Sequence, residues 1–195
     1  MMKIFKFIVI SLVYSYNLLP KSVIEKKPFY ILKNMTAMHE QCVINAINTF
    51  NNICNKYDIN LHIHLRGYLT QQEIINNPQY NVITYMKEND QLSYTNLNGY
   101  TMSNDTKLHI NNINIYINLI HITNIIACYN IMLHEIGHAF GLMHNNINGS
   151  IMNSTATVDE KLNTVSVLNG NKPIKQLNYH IDDLYGMWLY STRKI

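Results

Sequence analysis

A chain of 195 residues, 47% of them hydrophobic, has room for one domain with a buried core. Its net charge of +3 comes without any basic run, so the electrostatic footprint of nucleic-acid binding is missing, and Gly 7 with Pro 4 excludes collagen-like and low-complexity classes. A mean hydropathy of −0.10, only 14% charged residues and 29 Asn describe a polar surface built largely from amides rather than a membrane bundle.

Residues 1–20 combine Lys3 and Lys6 with an apolar stretch from Phe7 to Val13 and end at Pro20, too short for a comfortable span. They are expected to be a secretory signal peptide, cut after small residues such as Val13 and Ser15, with an uncleaved anchor as the alternative. Residues 21–195 are then a single domain. Phe29–Leu32 reads as a first strand. Thr36 can cap a helix whose apolar positions Val43, Ile47, Phe50, Ile53 and Cys54 recur at helical spacing. Ile59–Leu65 alternates and predicts a strand ending before Gly67. Val82–Met86, Leu92–Thr95 and Leu108–Leu119 are further strand candidates, with Asn96–Asp105 read as a polar loop. A helix is expected from Asn124 to Phe140. A polar segment, Asn145–Pro173, leads to a last helix with Leu177, Ile181, Leu184 and Trp188 on one apolar face.

Cys42 and Cys54 fall in one predicted helix, roughly 18 Å apart, and cannot pair. Cys128 can bridge to either, or all three can be buried small hydrophobes. Sequons stand at Asn34, Asn104, Asn148 and Asn153.

Residues 134–144 read His-Glu-Ile-Gly-His-Ala-Phe-Gly-Leu-Met-His. On a helix His134 and His138 leave the same face one turn apart, the separation two ligands need to grip one ion. Glu135 is angularly offset and can act on a water at the metal without being a ligand. Gly141 lets the chain leave the helix, so that His144 can return as a third ligand and the fourth position stays open. With 9 His in the chain, the shorter His-Glu-x-x-His pattern alone would arise by chance on the order of once in a hundred such chains.

This extended motif resembles that of the metzincin metallopeptidases. Met152, eight residues after His144 within Ser-Ile-Met-Asn, is similar in place to the Met-turn of matrixins, the matrix-metalloproteinase family. Asp182-Asp183-Leu-Tyr-Gly186 resembles the start of the matrixin C-terminal helix, Tyr57–Gly67 its second strand, and Leu92–Thr95 the edge strand that pairs with substrate. The resemblance runs from about Phe29 to Tyr190. It implies an α+β fold: a twisted, mostly parallel sheet with one antiparallel edge strand, and three helices. It also implies one catalytic Zn2+ held by His134, His138 and His144, Glu135 as general base, and Met152 as a hydrophobic floor.

Some positions depart from the family. Asn145 stands where matrixins usually carry Ser, and Asn153-Ser154 replaces the usual Tyr-Pro after the methionine. Tyr94 and His109 fall near two structural-zinc positions, but residues 67–86 hold no His-x-Asp pair, so neither that zinc nor the family's calcium is expected. No cysteine switch is present, and a bare catalytic domain is expected.

Elsewhere, His62 and His64 point the same way but have no evident third partner, so a solvated strand face is expected. His39, His121 and His180 are read as isolated. Asp182 and Asp183 suit a helix start and a packing role below the zinc helix. The expectation is a secreted, monomeric zinc endopeptidase that cuts extended protein substrates, with extracellular matrix proteins suggested by the resemblance, and without nucleic acid or stable membrane insertion. Two rivals are an intracellular peptidase of narrow specificity and a silent zinc-containing decoy for protease inhibitors; the second has no need of Glu135.

Overall fold

The computed structural model describes residues 27–33, 35–85, 99–106, 109–117, 125–147, 149–153, 156–159, 164–167 and 177–192. The segments 1–20 and 92–95 and residue His121 lie outside the described residues.

Strand β1 (Phe29–Leu32) is apolar and buried, as its composition requires. Helix α1 (Ala37–Lys56) begins where the Thr36 hydroxyl accepts from the His39 backbone N–H at 3.3 Å. His39 is not isolated: its Nδ1 lies 2.6 Å from the same hydroxyl, and the residue is buried. The inner face of α1 carries Cys42, Val43, Ala46, Ile47, Phe50 and Cys54.

The next strand is displaced from its expected place. Ile59, Leu61 and Ile63 are buried and alternate with exposed Asn60, His62 and His64, yet the ladder starts later, in β2 (Leu65–Leu69). The Asn51 amide explains the difference. Its Oδ1 accepts from the Ile63 N–H at 2.8 Å and its Nδ2 donates to the Ile63 carbonyl at 3.0 Å. A side chain thus satisfies main-chain groups that a neighbouring strand would otherwise take. Alternation marked the buried stretch, not the hydrogen-bonded one.

Thr70 and Glu73 form a capping box that starts α2 (Gln71–Asn76), a short helix beyond the three expected. Strands β3 (Asn81–Tyr85), β4 (Gly99–Thr106) and β5 (His109–Ile117) complete a sheet of order β2-β1-β3-β5-β4. All its pairs are parallel except β4 with β5. The expected polar loop Asn96–Asp105 is therefore largely the antiparallel edge strand. Gly-Tyr-Thr-Met-Ser-Asn-Asp-Thr lacks apolar alternation because main-chain hydrogen bonds to β5 hold it at the edge.

Helix α3 (Ile125–Ala139) packs against α1 on one side and β4 and β5 on the other, so residues from Ala127 to Leu133 are buried without a break. Cys42 and Cys128 form the bridge, with Cα atoms 6.0 Å apart, while Cys54 is a free, buried thiol that burial pushes up to about 12. Asn145–Pro173 is more than a polar connection, since it contains a hairpin of β6 (Ala156–Asp159) and β7 (Thr164–Val167).

The last helix, α4 (Ile181–Thr192), turns a different face inward from the one expected. Asp183, Leu184, Met187 and Tyr190 are buried, whereas Ile181 and Trp188 are 50% and 44% exposed. Leu177 is buried but precedes the helix. Counting apolar residues misplaced the stripe because Asp183 faces inward. Beneath α3, Phe140 stacks on Phe50 at 4.8 Å and meets Tyr190 edge-on at 6.3 Å. No helix among the described residues is long and apolar enough to cross a membrane.

Candidate metal centre

Helix α3 ends in a Schellman motif. Leu142 N–H donates to the Gly137 carbonyl at 3.0 Å and Gly141 N–H to that of His138 at 2.9 Å, with Gly141 at φ 83°. This left-handed residue reverses the chain and returns His144 toward the helix, as the sequence spacing predicts. The three Nε2 atoms converge: His134 to His138 3.0 Å, His134 to His144 3.1 Å, and His138 to His144 3.1 Å.

Two of these rings are oriented from behind. His134 Nδ1 lies 2.6 Å from the Ile151 carbonyl, and His138 Nδ1 2.7 Å from that of Leu142. A carbonyl only accepts, so both Nδ1 atoms carry the proton and both Nε2 atoms present lone pairs. Burial pushes His134 down to about 3 and lowers His138 and His144, which keeps the cluster neutral. Lone pairs crowded to 3.0 Å repel unless a cation sits among them. Zinc bound tetrahedrally at 2.0–2.1 Å would separate such nitrogens by about 3.3 Å, so the donor set fits this ion. Among the described residues no other group of three or more His, Cys, Asp or Glu converges in this way.

Glu135 is 4% exposed, and burial pushes its carboxyl up to about 7. Thr101, on the edge strand β4, donates from Oγ1 to Glu135 Oε2 at 2.8 Å. Thr101 carries no signal in the sequence, because its strand lacks apolar alternation and resembles a polar loop.

Met152 is fully buried and lies under α3, where its Sδ would be 2.4 Å from a Cβ added at Gly137. A glycine inside a helix was the available signal for this close approach. The turn around Met152 is held by a buried polar knot. Asp183 accepts from Asn145 Nδ2 at 2.8 Å, Ser150 Oγ at 2.7 Å and the His180 N–H at 2.7 Å. Ser150 Oγ in turn accepts from the Met152 N–H at 2.9 Å, and Asn145 N–H donates to the Met152 carbonyl at 2.8 Å. Asn145, a departure from the family pattern, therefore has a structural task. Tyr179 Oη donates to the Leu133 carbonyl at 2.6 Å, bracing the turn of helix before His134.

Of the remaining candidates, Asp182 pairs with His180 at 3.3 Å on the surface. The His62 and His64 rings lie 4.4 Å apart, exposed. Asn153 is buried and its amide donates to the Ile147 carbonyl at 2.9 Å, which removes it as a glycosylation acceptor in the folded chain.

A family model described as matrixin matches residues 67–178. Among solved structures, the chain is similar to high choriolytic enzyme 1, a hatching enzyme zinc-protease from Oryzias latipes (medaka fish). The identity is 15% and the TM-score 0.49, over 92% of this chain and 98% of that one. No curated protein matches the chain.

Proposed function

The chain belongs to the matrixin family of zinc metallopeptidases, and we propose that it is a secreted endopeptidase in which His134, His138 and His144 hold the zinc and Glu135 is the general base. The observation that carries this reading is the convergence of three Nε2 atoms, with the buried carboxylate of Glu135 next in sequence to one of them and outside the cluster. Zinc in such a site polarises a scissile carbonyl and lowers the pKa of a water.

The chain's own residues supply the rest. Glu135 takes the proton of the attacking water and hands it to the departing amine nitrogen, so that the carboxylate is regenerated in each cycle. Thr101 holds one oxygen of that carboxylate. The edge strand β4 leaves one row of main-chain groups without a partner strand among the described residues, and an extended substrate can pair there. Recognition through the main chain suits a range of unfolded or extended proteins, extracellular matrix proteins among them.

Export is supported by the composition of residues 1–20 and by the Cys42–Cys128 bridge, which an oxidising compartment favours. On this reading residues 21–195 act as a single monomeric catalytic domain. The test compares zinc content and cleavage of gelatin or casein for wild type and Glu135→Ala. Both should bind about one zinc, and only wild type should cut, with activity lost on chelation. Zinc binding without cleavage in both would favour the inhibitor-decoy reading instead, and absence of zinc would overturn the three-histidine assignment.

A further inference from the structure

We propose that Thr101 is a positioning residue for the general base; the inference rests on the assignment of Glu135 above. Thr101 Oγ1 lies 2.8 Å from Glu135 Oε2 and 3.0 Å from the main-chain carbonyl oxygen of the same residue. One hydroxyl thus touches both ends of Glu135. The single hydroxyl proton is shared between these two acceptors, with the shorter contact to the carboxylate, so the hydroxyl sits against α3 and beside Oε2 at once.

A glutamate carries three side-chain torsions, and the last is broad, so burial alone leaves the plane of its carboxylate undetermined. Among the described residues, Thr101 is the one side chain hydrogen-bonded to the Glu135 carboxylate. By anchoring Oε2 it sets the carboxylate plane and leaves Oε1 for the proton. The β-branch of threonine helps, because on a strand it restricts χ1 and holds the hydroxyl in place. Thr101 pairs with Ile115 across the β4–β5 ladder, so the strand that offers its outer edge to substrate also carries this tether. Base and substrate are then registered against the same segment of backbone.

A base displaced by about 1 Å can cost on the order of 100-fold in rate. Thr101→Val keeps the branch and removes the hydroxyl, while Thr101→Ser keeps the hydroxyl. With the zinc-loaded full chain and a quenched fluorogenic peptide, kcat for Thr101→Val should fall by about 10- to 100-fold. KM should stay within about threefold and zinc at about one equivalent, and Thr101→Ser should recover kcat to within about threefold of wild type.

Three results would overturn the proposal: an unchanged kcat for Thr101→Val, a change confined to KM, or equal losses for the serine and valine variants. Should the valine variant fold poorly, Thr101→Ala against Thr101→Ser gives the same comparison. Glu135→Ala, measured alongside, separates the two levels. If it cuts as well as wild type, the assignment of the base fails; if it is inactive while Thr101→Val is normal, only the tether fails.

Discussion

Replacing Gly137 by alanine should reverse the usual sign of that exchange. In an unencumbered helix interior, Gly→Ala stabilises by about 1 kcal/mol. Here the new Cβ would stand 2.4 Å from Met152 Sδ, 3.1 Å from its Cε and 3.3 Å from Tyr179 Cε1. A thioether can usually swing aside, but Met152 is fully buried and Tyr179 is pinned through its hydroxyl to the Leu133 carbonyl. Overpacking of this kind costs about 1–3 kcal/mol, leaving a net loss of roughly 0–2 kcal/mol after the helix gain. The melting temperature should accordingly drop by up to about 8 °C. Displacing Met152 also disturbs Ile151, whose carbonyl orients His134, and weakened support behind a ligand imidazole typically lowers metal affinity by about 10- to 100-fold. Melting followed by circular dichroism, with zinc competition against a chromophoric chelator, measures both effects. A Gly137→Ala protein that melts higher than wild type and holds zinc as tightly would refute the account of the methionine floor.

Asp183→Ala should destabilise by about 3 kcal/mol or more, since it strips three donors of a buried acceptor. Asp182→Ala, at an exposed ion pair, should change stability by less than about 1 kcal/mol, and paired denaturant titrations would show the contrast. Reducing the Cys42–Cys128 bridge releases a loop spanning 86 positions, which the chain-entropy relation values at about 4.6 kcal/mol as an upper figure. Melting with and without reductant checks this, and Cys54→Ser should leave the difference intact.

The histidine cluster was legible because His134, His138 and His144 lie within eleven consecutive residues, and helical geometry converts that spacing directly into position. Helix α1 was legible from its cap and periodicity. Edge strand β4 was not: a strand held by main-chain pairing on one side and open on the other needs no apolar alternation, and so looked like a loop. Helix α4 misled in the opposite way, because its inward face includes an aspartate whose side-chain donors, Asn145 and Ser150, lie over 30 residues earlier. The bridge from Cys42 to Cys128 was one open option among several, since the packing of α1 on α3 is what brings those sulfurs together.

The donors are local in sequence, but their braces are not. Thr101 comes from the sheet edge, Ile151 and Met152 from the turn beyond the ligands, and Asp183 from the final helix. A peptide covering residues 134–144 would own every donor and still have to order itself on binding the ion. The gap between its zinc affinity and that of the intact chain measures how much of the whole protein's folding free energy is stored as readiness at one small set of nitrogens. Metal affinity is therefore a gauge of the integrity of the entire fold, not only of its three histidines.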